Sequence, residues 1–173
     1  NLDDAMAMYE KYKSNLLGVI SDVGFCEHRG GKPEEEKLDA GIELVRHIKA
    51  DDPKMPILLQ SSQDCISAVA EELGVGFLRK YSKTLMIQLY EYIKEEFAFG
   101  DFIFRDADRV EYGRAANLKE LEILMREVPE DILLANTSKN MLSKWFMARG
   151  LFTLGAKFKK VIESQFANVT ELR

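Results

Sequence analysis

Apolar positions in the N-terminal part of the chain alternate between two rhythms, a helical stripe and a short unbroken run. Leu2, Ala5, Met6 and Tyr9 recur at helical spacing, with Asn1 placed to cap and Asp3 and Asp4 suited to a first turn. This predicts an amphipathic helix to about Lys13. Leu16-Leu-Gly-Val-Ile-Ser21 then reads as a buried strand that ends on Asp22. Gly24, Gly30, Gly31 and Pro33 mark an irregular polar loop.

The pattern repeats. Gly41, Ile42, Val45 and Ile48 form a helical stripe ended by Asp51-Asp-Pro53, and Met55-Pro-Ile-Leu-Leu-Gln60 reads as a second buried strand stopping at Ser61. Ile66, Val69, Ala70 and Leu73 predict a third helix with Gly74 as its C-terminal cap, followed by a strand over Gly76-Phe-Leu-Arg-Lys80. Ser82 is placed to cap a fourth helix carrying Leu85, Leu89, Ile93 and Phe97. Helix and strand therefore alternate, and the economical arrangement is a parallel sheet with right-handed crossovers.

After Gly100 the texture changes. Phe102-Ile-Phe-Arg-Asp106 and Val110-Glu-Tyr-Gly-Arg114 predict a hairpin around a polar turn, and Asn117 with Glu120 forms a capping-box signature. Pro129 opens a second helical stretch with Leu133 and Leu134. Ser138 is placed to start a third, with Met141, Leu142, Trp145 and Phe146 on one face. Gly150 and Gly155 are read as interruptions, and the tail is amphipathic at Leu154, Phe158, Val161 and Ile162. The expected organisation is an α/β domain over residues 1–99 and a small α+β extension over 100–173.

Composition narrows the function classes. Lys and Arg number 24 against 29 Asp and Glu, a net charge of -5, so the chain has no basic footprint for a nucleic-acid backbone. Cys26 and Cys65 form no CxxC pair, which signals neither a disulfide framework nor a zinc site and fits a reducing cytoplasm. Apolar runs are strand-sized, far short of the roughly 20 residues of a membrane span. No GxSxG, Walker A or metal-ligand cluster supports a free-standing hydrolase. The chain opens with Asn and reads as part of a longer protein.

In a doubly wound sheet, chemistry collects at the carboxyl ends of the strands. Asp22, Ser61 and Lys80 all fall there. Together they offer a carboxylate that can attack a phosphoryl donor, a hydroxyl and a cation that grip phosphoryl oxygens. Taken singly, Asp22 is a loop or helix cap, Ser61 a helix cap and Lys80 a solvated side chain. His28 and His47 read as surface histidines, Met141, Trp145 and Phe146 as core. Lys144, Arg149, Lys157, Lys159 and Lys160 read as a solvated basic helix face, or one that docks an acidic partner.

Gly18-Val-Ile-Ser-Asp22, Ala40-Gly-Ile-Glu-Leu44, Met55-Pro-Ile-Leu-Leu-Gln-Ser61 and Gly76-Phe-Leu-Arg-Lys80 resemble the receiver domains of two-component signalling. That resemblance implies a flavodoxin-like parallel sheet, here lacking its first strand, first helix and second strand. It implies phosphorylation of Asp22 by a histidine kinase or a small phosphodonor. Gly24 would offer its main-chain carbonyl to Mg²⁺ beside Asp22, Ser61 and Lys80 would bind the phosphoryl group, and Phe77 would be the aromatic switch.

The chain departs from the receiver pattern at Cys26 and Tyr81, where prolines are usual, and in a longer, charged loop from Glu27 to Lys37. The acidic pair that would hold Mg²⁺ is absent from this chain, since Asp3 and Asp4 sit in a helix turn.

Phe99-Gly-Asp-Phe-Ile-Phe-Arg105, Leu118-Lys-Glu-Leu-Glu122, Val128-Pro-Glu-Asp131 and Asn140-Met-Leu-Ser-Lys-Trp-Phe-Met-Ala-Arg149 look like the segment that follows the receiver in bacterial proteins related to phosphoenolpyruvate synthase and pyruvate phosphate dikinase. By that likeness the chain regulates downstream enzyme domains of the same protein. The competing expectation is a pseudo-receiver, an interaction or dimerising module without phosphorylation. Self-association is expected through the edge of the Leu16–Ser21 strand, left open by the missing strands.

Overall fold

The Asn1 side chain accepts the Asp4 N–H at 2.9 Å, and the first helix, α1 (Leu2–Tyr12), starts there with Asp3 and Asp4 in its first turn. The computed structural model describes residues 1–32, 36–137 and 140–163. Pro33 and Ser138 lie outside the described residues, as do the side chains of Lys160, Val161 and Ile162. Two compact units divide at Asn1–Glu91 and Tyr92–Arg173. Among the described residues no helix is long and apolar enough to cross a membrane.

In the first unit, α1 and a short 3-10 turn (Lys13–Asn15) lead into strand β1 (Val19–Asp22). Two short strands follow, β2 (Phe25–Cys26) and β3 (Glu36–Lys37), then helix α2 (Ala40–Asp51), strand β4 (Ile57–Ser61), helix α3 (Ile66–Glu72) and strand β5 (Gly76–Arg79). Helix α4 (Leu85–Glu96) contains the division between the units.

The sheet is parallel and three-stranded, in the order β1-β4-β5. Val19 stands beside Ile57 and Leu58 beside Gly76. β4 is central, and its Ile57, Leu58 and Leu59 are buried, which is why it reads as unbroken apolar sequence rather than alternation. Leu2 and Tyr9 from α1, Val45 and Ile48 from α2, and Ile66 and Ala70 from α3 join Ile57 and Leu59 in one core. A half-exposed network ties α1 to α2: the Tyr9 hydroxyl donates to Asp51 Oδ2 at 2.8 Å, and Lys13 bridges Asp51 and Glu10.

Two expectations for this unit need correction. The segment after Gly24 is not wholly irregular, because β2 pairs antiparallel with β3, with Phe25 packed on the core. A pair of two-residue strands is too short to show a hydrophobic period. Ser82 does not cap α4, since its hydroxyl accepts the Thr84 N–H at 3.2 Å and its carbonyl closes a turn with Leu85. The helix begins one turn later. Leu85, Leu89 and Ile93 are half-buried on it, while Phe97 lies past its end and is buried.

In the second unit, strands β6 (Phe102–Arg105) and β7 (Glu111–Ala115) form an antiparallel hairpin with an irregularity between Phe104 and Arg105. Helices α5 (Leu118–Glu127), α6 (Glu130–Thr137), α7 (Met141–Ala148) and α8 (Phe152–Glu163) follow. The capping box forms: Asn117 Oδ1 accepts the Lys119 and Glu120 N–H groups, and Glu120 reaches back to the Ala116 N–H at 2.8 Å. Phe104, Leu133, Leu142 and Trp145 make the core.

The α7–α8 turn corrects two further expectations. Gly150, at φ +74°, does end α7, but Gly155 lies within α8. Helix packing requires it there, because a Cβ would stand 2.7 Å from Met147 Cγ and 2.9 Å from the Ser143 carbonyl. Ser143 Oγ also donates to the Gly155 carbonyl at 2.7 Å. Nor do the basic residues share a solvated face. Lys144 is only 7% exposed, and Arg149 lies 3.6 Å over the Trp145 ring while donating to the Ala98 and Gly100 carbonyls.

Candidate functional site

The carboxyl ends of the three parallel strands place the residues the sequence singled out. Asp22 closes β1, and its Oδ2 lies 3.0 Å from Lys80 Nζ, with the two side chains 48% and 37% exposed. Lys80 follows the last residue of β5. Its N–H donates to the Ser61 carbonyl at 3.0 Å, extending the β4–β5 pairing by one residue and fixing where the lysine stem begins.

Ser61 is brought to the same strand end but not to the same partners. In register, Asp22 stands beside Gln60, one residue before Ser61, so pleat alternation sends the Asp22 and Ser61 side chains to opposite faces of the sheet. Ser61 is 8% exposed, and its hydroxyl accepts the Gln63 N–H at 3.1 Å, shaping the turn into α3. Phe77, beside Leu59 in register, is half-buried against the first core.

Two residues that the sequence reading did not connect with Asp22 help to form its surroundings. Gln60 is its register neighbour, which only strand pairing reveals. Gly41, in the first turn of α2, donates its N–H to the Val23 carbonyl at 2.8 Å. A Cβ there would stand 2.9 Å from Val23 Cα and overlap the Asp22 carbonyl oxygen. Its signal in the sequence was a glycine inside a helical stripe, which marks close backbone approach as readily as weak propensity.

Cys26 and Tyr81 do not occupy the strand end. Cys26 Sγ donates to the Lys32 carbonyl at 3.4 Å, and Tyr81 is 84% exposed. Arg79 pairs with Asp64 at 3.1 Å, holding the β4–α3 turn to β5. His28 pairs with Asp3 and His47 with Glu10, both at the surface.

Magnesium takes a near-octahedral oxygen set that includes one or two carboxylates. Among the described residues no three His, Cys, Asp or Glu side chains gather to hold an ion, and the Asp22 carboxylate is engaged by Lys80. Asp22 and the Gly24 carbonyl alone do not fit a magnesium site. What these residues offer is a half-exposed carboxylate held against a cation at a strand end.

The chain is thus a mixed α/β protein built on a small three-stranded parallel sheet. No family model matches it, and neither a curated protein nor a solved structure does so.

Proposed function

We propose that this chain is a signal-receiver regulatory module in which Asp22 accepts a phosphoryl group. The observation that carries the reading is the Asp22–Lys80 pair at 3.0 Å over the end of β4. The strand order β1-β4-β5 agrees with one side of a flavodoxin-like sheet, in which strands on that side follow one another in sequence. Tyr81 and Cys26 leave the strand end open to a donor, which weighs against the pseudo-receiver reading.

In the proposed reaction an Asp22 carboxylate oxygen attacks the phosphorus of an acyl phosphate. The new O–P bond forms as the bond to the leaving carboxylate breaks, and that carboxylate departs with the electron pair. No proton is consumed. Lys80 exchanges the carboxylate for a phosphoryl oxygen, and Ser61, whose side chain leaves the sheet on the opposite face, releases Gln63 and swings round the end of β4 to reach the same group. This loss of one local bond against gain of another biases a two-state surface. The regulated target is an attached phosphoenolpyruvate- or pyruvate-utilising phosphotransfer enzyme, on the segment likeness of residues 99–149.

The test is incubation of the intact protein with acetyl phosphate, with and without Mg²⁺, read by mass spectrometry. A gain of one phosphoryl group that is lost in Asp22→Asn supports the reading. No gain under saturating donor sinks it and leaves the pseudo-receiver.

A further inference from the structure

We infer that Gly41 is a positioning residue for Asp22: it seats the start of α2 directly on the Asp22–Val23 backbone and so sets the reach from the Asp22 carboxylate to Lys80. The consequence for function rests on the acceptor reading above. The seat itself does not.

Residue 23 is gripped from two sides. Its N–H donates to the Gln60 carbonyl at 3.2 Å, and its carbonyl accepts the Gly41 N–H at 2.8 Å. Val23 is buried, as are Ala40, Gly41 and Ile42 in the helix start. One residue back, the Asp22 carbonyl accepts the Ser21 hydroxyl at 2.8 Å and lies where any Cβ at position 41 would go. The obstruction is backbone, not the yielding end of a side chain. Any side chain at position 41 must therefore push α2 away from β1 or push Asp22 along the strand.

The displacement matters because Asp22 works at a distance. Its carboxylate meets Lys80 from across the intervening strand, so a shift of about an ångström in Asp22 makes the flexible lysine stem re-form the 3.0 Å pair in a different geometry, which changes the surroundings of the ammonium group. α2 is thereby more than packing for β1. Its first turn acts as a stop against which the acceptor strand ends.

NMR spectra of wild type and Gly41→Ala, recorded on the full chain with the lysine side-chain ammonium groups observed, test the seat. Ile48→Val serves as a control for a small core loss within the same helix. We expect Gly41→Ala to displace the Lys80 ammonium signal, whereas Ile48→Val leaves it in place. A merely structural Gly41 would cost stability without reaching Lys80. An unmoved Lys80 signal in folded Gly41→Ala overturns the inference. Should that variant not fold, the Gly41 amide of the wild type is followed by hydrogen exchange: protection matching the amides of β4 supports the seat, and exchange at the rate of an open amide overturns it. Phosphoryl uptake from acetyl phosphate is expected to fall at least tenfold in Gly41→Ala, a loss of about 1.4 kcal/mol. The spectra report on the seat even where wild type takes up no phosphoryl group, so the two failures are told apart.

Discussion

Asp22 and Lys80 meet at 3.0 Å although their strands are not neighbours. With β4 between them, the two backbones stand roughly 10 Å apart, two strand spacings, and the lysine stem supplies the span. An exposed pair of this kind contributes only about 0.2–1 kcal/mol. Lys80→Met should therefore leave the urea midpoint of the first unit nearly unchanged while abolishing phosphoryl uptake at Asp22. A large stability loss would mean that Lys80 is structural.

His28 provides a pH dependence. Its Nδ1 lies 2.6 Å from Asp3 Oδ2, and that hydrogen bond, with the charge of Asp3, raises the imidazole above its ordinary value. Glu27 adds to the shift, and Arg29 pairs separately with Asp4 at 3.0 Å. Because the folded pKa is the higher, the stabilisation is fully present below the unfolded value of about 6.5 and is lost as pH rises through the folded one. An NMR titration should give His28 a lower midpoint in Asp3→Asn than in wild type. Identical midpoints would count against the pair.

Arg109 sits in the β6–β7 turn at φ +63°, where its Cβ crowds the backbone. The turn is otherwise well bonded, with Asp106 Oδ1 accepting the Asp108 and Val110 N–H groups. Arg109→Gly should raise the melting midpoint of the second unit, by up to about 1 kcal/mol in stability. Arg109→Val should lower it.

Gly155 and Ser143 form one close contact between α7 and α8, beside the Phe146–Phe158 ring pair. Gly155→Ala brings a methyl group into Met147 and the Ser143 carbonyl and should cost about 1–3 kcal/mol. Ser143→Ala removes one buried hydrogen bond and should cost about 1 kcal/mol. Denaturant titrations that reversed this order would show that the helices are free to move apart.

Much of the fold was legible because single segments carried their own signal. β4 and β5 declared themselves as apolar runs, and Asn117 with Glu120 declared the start of α5. β2 and β3 did not, since a two-residue strand has no period to read. Lys144 was misread for another reason: a lysine in sequence looks solvated, and only tertiary packing put it under cover. At the candidate site, the strand-end positions of Asp22, Ser61 and Lys80 followed from the pattern. That Asp22 faces Lys80 while Ser61 turns to Gln63 depends on register, a relation between segments that no one segment contains. Gly41 was visible as a helix residue and silent as the neighbour of Asp22 for the same reason.

Trp145 is the one tryptophan of the chain, and it lies within the second unit, 1% exposed beneath Arg149. The protein thus carries a built-in optical marker on one side of its internal division. Its emission reports on the surroundings of α7 in the second unit, so a circular dichroism melt that departs from it would mark the two units as separate in unfolding.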